Sequence, residues 1–66
     1  MKIIVNGDSL EIEANLTLLA LLARIGKPAA QVAVEHNGDV VDHDDFAQRT
    51  LQANDQLEIV HFVGGG

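Results

Sequence analysis

The last three residues, Gly64, Gly65 and Gly66, put a carboxylate on a stalk that carries no side chains. With no Cβ to restrict the backbone, such a segment can enter a cleft in another protein that is too narrow for other residues. The backbone groups of Gly64 and Gly65 can be recognised there, and the Gly66 carboxylate can itself be the reacting group. Composition alone is equally compatible with a frayed end or a cloning remnant, because glycine runs are ordinary in linkers. A phosphate-binding loop is a poor match, since that motif needs a lysine and a helix after the glycines.

Other side chains offer less chemistry. His36, His43 and His61 show no HExxH or two-plus-two ligand spacing, and there is no cysteine to assist them, so no metal site is expected. Asp42-His43-Asp44-Asp45 reads as a hydrophilic turn with helix-capping carboxylates and lacks the twelve-residue calcium-hand pattern. Ser9, Thr17 and Thr50 have no evident base and orienting partner, which argues against nucleophilic catalysis. Adjacent acids such as Asp44 and Asp45 describe a solvated turn better than a shielded acid/base pair.

The positioning elements follow from hydrophobic spacing. Lys2-Ile3-Ile4-Val5 reads as a strand, Asn6-Gly7 as a tight hairpin turn, and Ser9 to Glu13 as the returning strand with Leu10 and Ile12 on one face. Thr17 is placed as the N-cap of a helix from Leu18 to about Ile25, with Leu16 and Leu21 as a hydrophobic staple. Leu18, Leu21, Leu22 and Ile25 form its buried stripe, Leu19 lies partly outside it, and Gly26 followed by Pro28 ends the helix. Gln31 to His36 is a third strand, Asn37-Gly38 a second hairpin turn, and Asp39-Val40-Val41 a short return. Asp42 or Asp44 is expected to cap a brief helical turn over Asp45 to Arg49, with Phe46 and Leu51 closing the core. Asn54-Asp55 then turns the chain into a last strand, Gln56 to Phe62.

One long helix covers one face of a sheet, so the expected architecture is a two-layer α+β domain with a mixed sheet. The other face is left open. If Leu57, Ile59, Ile3 and Val5 point toward the helix, alternation sends Ile4, Ala33, Val60 and Phe62 outward. A contiguous apolar patch there reads as a partner-binding face; scattered apolar residues would be unremarkable.

Size and charge narrow the function classes. A chain of 66 residues makes one domain, and one so short buries only about 60% of its unfolded surface. The 47% hydrophobic content, with Phe46 and Phe62 as the sole aromatics, leaves Leu, Ile, Val and Ala to fill the interior. Little volume remains for a ligand cavity of roughly 300 to 1,000 Å³, so an enzyme with its own enclosed site is disfavoured. Ten acidic residues against four Lys/Arg give a net charge of -6, which repels phosphate backbones and anionic membranes alike. That charge either keeps a small protein soluble or complements a basic surface on a protein partner. No secretory signal and no apolar run of membrane-spanning length is present, and a cytoplasmic protein is expected.

Taken together, these segments resemble the thiamine-biosynthesis sulfur carrier family, ThiS, within the ubiquitin-like β-grasp fold. The resemblance runs through the Asn6-Gly7 hairpin, Thr17-Leu18 and Leu21-Leu22, Val32 to Gly38, the Asn54-Asp55 turn, and above all Leu57-Glu58-Ile59-Val60-His61-Phe62-Val63-Gly64-Gly65-Gly66. It implies about five strands with one main helix on one face and a short second helical turn, divided into a domain at 1–63 and a reactive glycine tail at 64–66. It also implies a carrier and not an enzyme. An adenylating enzyme of the ubiquitin-activating type, holding ATP and magnesium, would activate the Gly66 carboxylate, and a persulfide donor would convert it to a thiocarboxylate. Thiazole synthase would receive the sulfur. This chain would bind no cofactor of its own. Ile4, Ala33, Val60 and Phe62 would form the docking face, with Glu58 on an acidic rim that steers basic partners and Gly64 and Gly65 held in their clefts. The turn reads Ala53-Asn54-Asp55 where the family commonly has Gly-Asp, and Asn54 can replace that glycine because asparagine tolerates left-handed backbone. Carriers for molybdopterin, cysteine synthesis or RNA thiolation share this fold and ending, although chain length and short connections favour the thiamine carrier. A ubiquitin-like modifier joined to lysines, and a binding module with an idle tail, are the remaining readings.

Overall fold

A computed structural model of the chain describes residues 1–62. The expected domain boundary after residue 63 and the three glycines lie outside the described residues. Five strands form one mixed sheet in the order β2-β1-β5-β3-β4, from β1 (Lys2–Val5), β2 (Asp8–Glu11), β3 (Val32–His36), β4 (Asp39–Val40) and β5 (Gln56–His61). β5 lies in the middle, parallel to β1 and antiparallel to β3. The helix α1 (Leu18–Arg24) links the two hairpins. This is the two-layer α+β, β-grasp architecture.

Both hairpins turn on Asn-Gly pairs at positive φ: Asn6 at 50° and Gly7 at 86°, Asn37 at 51° and Gly38 at 90°. Two successive left-handed residues make the turn whose twist matches that of paired strands. Asn54 also sits at φ 68°, so it takes the role expected for glycine in that turn. Gly26 at φ 76° ends α1, with the Lys27 N–H donating to Leu22 O at 2.9 Å.

α1 buries Leu18, Leu21 and Leu22, and these pack against Ile3, Val32, Val34, Leu57 and Ile59 from the sheet. Phe46 and Leu51 are fully buried below them, and Ile12, Leu16 and Val41 complete the core. Val5 and Ile25 are half-buried at its edge. At the end of α1, Arg24 grips the Glu13 carboxylate through two hydrogen bonds of 2.5 and 2.6 Å, which holds the Glu13 carboxyl down at about 2. Both side chains are solvated, so the pair adds little stability.

The second helical turn begins earlier than expected. A 3-10 turn occupies His43–Asp45, with Asp42 at its N-terminus making no side-chain cap, and one turn continues over the expected Asp45 to Arg49, where the Arg49 N–H donates to Asp45 O at 2.9 Å. It goes no further because of α1, whose first amides need acceptors. Leu18 N–H donates to Arg49 O at 2.8 Å and Leu19 N–H to Phe46 O at 3.0 Å. Those carbonyls are committed to capping α1 and cannot continue a helix of their own. Strand ends move less: β2 begins at Asp8 and stops at Glu11, β3 begins at Val32 after a 3-10 turn at Ala29–Gln31, and β5 ends at His61.

Thr17 caps α1 directly, its hydroxyl accepting from the Ala20 N–H at 3.1 Å. The Thr17→Ala variant is expected to lose about 1 kcal/mol of stability with an unchanged slope in urea denaturation.

Candidate functional site

The glycine end leaves the fold through β5, so the site is built from whatever fixes that strand. On the β1 side the parallel ladder runs Ile4 N–H to Asp55 O at 2.9 Å, then Asn6 N–H to Leu57 O at 2.8 Å. There β1 turns away into its hairpin while β5 continues. The Asn6 side chain takes over. Its Oδ1 accepts from the Ile59 N–H at 2.7 Å and its Nδ2 donates to Ile59 O at 3.0 Å, so one amide replaces both rungs the departing backbone would have supplied.

Asn37 does the equivalent work on the β3 side. Its Oδ1 accepts from the Gln56 N–H at 2.8 Å, its N–H donates to Gln56 O at 2.8 Å, and its Nδ2 donates to Asp55 Oδ1 at 3.1 Å. Asp55 is buried and holds the entry to β5, with Oδ2 accepting from the Gln52 N–H at 2.8 Å and from His36 Nε2 at 2.6 Å. His36, also buried, has its Nδ1 3.4 Å from Arg49 Nη1. A guanidinium only donates, so Nδ1 accepts and the ring proton sits on Nε2, facing the carboxylate. Burial pushes the Asp55 carboxyl up, but the Gln52 amide, His36 and Asn37 together outweigh it and hold it below its ordinary value.

This cluster has the ordered carboxylate and imidazole of a catalytic relay but no nucleophile at its end: Arg49 stands where one would be needed. It works as a clamp on the turn before β5. The other histidines are also engaged, His43 Nε2 with Val32 O at 2.9 Å and His61 Nε2 with Gln31 Oε1 at 3.1 Å. Among the described residues no group of three or more His, Asp and Glu side chains could hold a metal ion.

On the outer sheet face, Ala33 and Val60 are direct cross-strand partners, with Phe62 two residues further along the same side. Val60 is 61% and Phe62 43% exposed. Ile4 shares the face but not the patch. It is half-buried and pairs with Gln56, four residues back along β5 from Val60. Glu58 lies between, directly opposite Glu35. These two carboxylates line an open depression of about 420 Å³ together with Asn37, Gly38 and Gln56. Like charges directly across a pair of strands repel. Among the described residues, neither Glu35 nor Glu58 makes an ion pair. Val40, 77% exposed, pairs with Glu35 on its far side.

Gly64, Gly65 and Gly66 lie outside the described residues. The sequence reading missed Asn6 and Asn37 as anchors, Glu35 as the partner of Glu58, Val40 on the open face, and the His36–Asp55 pair. Glu35 and Val40 were accessible by counting strand register from the two hairpin turns. The asparagine anchors and the buried pair were not, since each joins residues far apart in the chain.

Two substitutions probe the clamp. Asn6→Gly keeps the left-handed turn and deletes the amide, and should cost roughly 1–3 kcal/mol in urea denaturation while speeding hydrogen exchange at Ile59. A lowered folded-state carboxyl stabilises the fold above its unfolded value, near 4, and that contribution fades as pH falls through the folded value. Asp55→Asn should therefore cost roughly 1–3 kcal/mol at neutral pH and shrink the difference from wild type as denaturation is repeated toward strong acid.

The model of the ThiS family matches residues 3–66. Over all 66 residues the chain is 41% identical to thiazole synthase of Paramagnetospirillum magneticum and 46% identical to thiazole synthase of Magnetococcus marinus. It spans 20% of the length of each of those proteins. Among solved structures, it superposes with a TM-score of 0.85 and 32% identity on the crystal structure of the thiamine biosynthesis protein ThiS from Geobacter metallireducens, covering 100% of both chains. The solution structure of a thiamine biosynthesis protein from the same organism matches with a TM-score of 0.79 at 32% identity, covering 100% of this chain and 88% of that one. The match through residues 3–66 shows that the chain belongs to the ThiS family.

Proposed function

We propose that the domain carries sulfur as a thiocarboxylate at Gly66 and delivers it to thiazole synthase. The observation that carries this reading is the family match through residue 66, on a β5 strand anchored from both flanks just before the glycines. A carboxylate is a poor electrophile and needs a leaving group. A Gly66 oxygen attacks the α-phosphorus of ATP in a partner enzyme, the bond to the β-phosphate oxygen breaks, and pyrophosphate departs from the acyl-adenylate. The terminal sulfur of a persulfide then attacks the acyl carbon and AMP leaves. A thiol of the donor system cleaves the resulting acyl disulfide, taking one sulfur into a new disulfide and leaving the thiocarboxylate on Gly66.

ATP, magnesium and the sulfur donor belong to the partners in this scheme. Gly64 and Gly65 supply reach. The chain supplies recognition through Ala33, Val60 and Phe62, with Ile4 at the far end of the same face. Glu58 and Glu35 present paired negative charge there, and a basic residue of the partner relieves their repulsion on docking. Proteins named thiazole synthase contain a segment similar to this whole chain, which supports that enzyme as receiver over the acceptors of molybdopterin or RNA thiolation pathways. No helix among the described residues is long and apolar enough to cross a membrane, and the proposed place of work is the cytoplasm, where ATP is at hand.

Incubation with an adenylating enzyme, ATP and a persulfide donor should raise the intact mass by about 16 daltons as sulfur replaces one terminal oxygen. Deletion of Gly65 and Gly66 should abolish that gain while leaving the urea midpoint unchanged. A fully active donor system that produces no mass gain, or lysine-linked adducts in its place, would refute the carrier reading.

A further inference from the structure

The end of the β1–β5 ladder leaves one stretch of β5 open. Toward β3, the bonding positions of β5 are the even ones: Asn37 N–H donates to Gln56 O at 2.8 Å and Phe62 N–H to Gln31 O at 2.9 Å. Antiparallel pairing alternates, so Leu57, Ile59 and His61 turn their N–H and C=O groups to the other side. Leu57 meets β1, and Ile59 meets the Asn6 amide. His61 comes next. The β1 pairing has already ended at Val5 opposite Leu57, and the polar backbone groups of His61 face no strand among the described residues. Its side chain is exposed as well.

We infer that this edge accepts an extended segment of the adenylating enzyme that charges the glycine tail, added to β5 as a short antiparallel strand opposite His61. The inference rests on the carrier reading above. In antiparallel register a single partner residue exchanges both N–H···O bonds with His61 and satisfies the two groups together. Val60 and Phe62 flank the position on the outer face and offer apolar contact to neighbouring side chains of the added strand. A second copy of this chain is a poor occupant, because each copy carries a charge of -6 and would bring its Glu35–Glu58 pair close to the other's. A partner strand flanked by basic residues fits both features. Pairing at His61 fixes the direction of the chain five residues before Gly66, which reduces the orientations the carboxylate must search in the activating site.

The test uses the isotopically labelled domain, alone and bound to the adenylating enzyme that charges it. In the free domain the His61 amide should exchange rapidly, unlike that of Val60, which lies at a bonded position toward Ala33; in the complex the His61 amide should slow at least tenfold. His61→Pro deletes an N–H that makes no bond to β3 or β1, so no ladder bond of the described sheet is lost, and should bind that enzyme at least fivefold more weakly than His61→Ala. An amide already protected in the free domain, unchanged exchange in the complex, or equal binding of the proline and alanine variants would overturn the inference. If the wild-type domain is charged and yet His61 shows no change, the edge proposal alone fails. If the wild-type domain is never charged, the carrier reading fails and this proposal goes with it.

Discussion

β5 has to outrun β1. It lies at the centre of the sheet, antiparallel to β3 from Leu57 to His61 but parallel to β1 only as far as Leu57, where the Asn6-Gly7 hairpin turns away; the Asn37-Gly38 hairpin turns beside its entry. A central strand with unpaired backbone would be costly, because buried amide and carbonyl groups need partners. Asparagine resolves this at both turns with one residue. It accepts the left-handed backbone the turn requires, while the Asn6 amide supplies both a donor and an acceptor to Ile59 and the Asn37 amide accepts from the Gln56 N–H and donates to the Asp55 carboxylate. The rest of the structure is arranged around the strand so held: α1 covers its inner face through Leu57 and Ile59, and the outer face stays open beside its exit.

The two ends of β5 are treated differently. At the entry, Asp55 is buried and fully occupied by Gln52, His36 and Asn37, with Arg49 behind His36. Such a polar cluster stabilises only when every member is satisfied, and no buried side-chain nitrogen or oxygen among the described residues lacks a partner. Further along the strand the charged groups are left exposed, including the Glu35–Glu58 pair, for which no ion-pair partner lies among the described residues. The buried polar clamp is concentrated before the strand and the exposed residues of the proposed docking face along it. That division suits the proposed carrier role.

Much of the fold was legible in residue types. Asn6-Gly7 and Asn37-Gly38 announced the hairpins, Thr17 and Gly26 bounded the helix, and alternation in Val32 to Val34 and Leu57 to Val60 assigned inner and outer faces. These are local preferences that survive because tertiary packing agrees with them. The second helical turn was legible over Asp45 to Arg49 but not its earlier start at His43, and it stops at Arg49 because its carbonyls are used by α1, a segment some thirty residues earlier in the chain. The apolar face was legible as a set of outward residues but not as a patch. Register separates Ile4 from Val60 and inserts Glu58 and Glu35 between them, and register is a property of the assembled sheet.

What the sequence determined by itself is the kind of protein: a small acidic α+β domain without cysteine, whose expected reacting group is a carboxylate on glycines. Glycine and asparagine declare their roles through backbone conformation, which acts over two or three residues and needs no distant partner. What only the tertiary structure decided is how the strand leading to that carboxylate is held and where it is left open. Asn6 reaches Ile59 across 53 positions of chain and His36 reaches Asp55 across 19, and contacts of that range exist only once the sheet has formed.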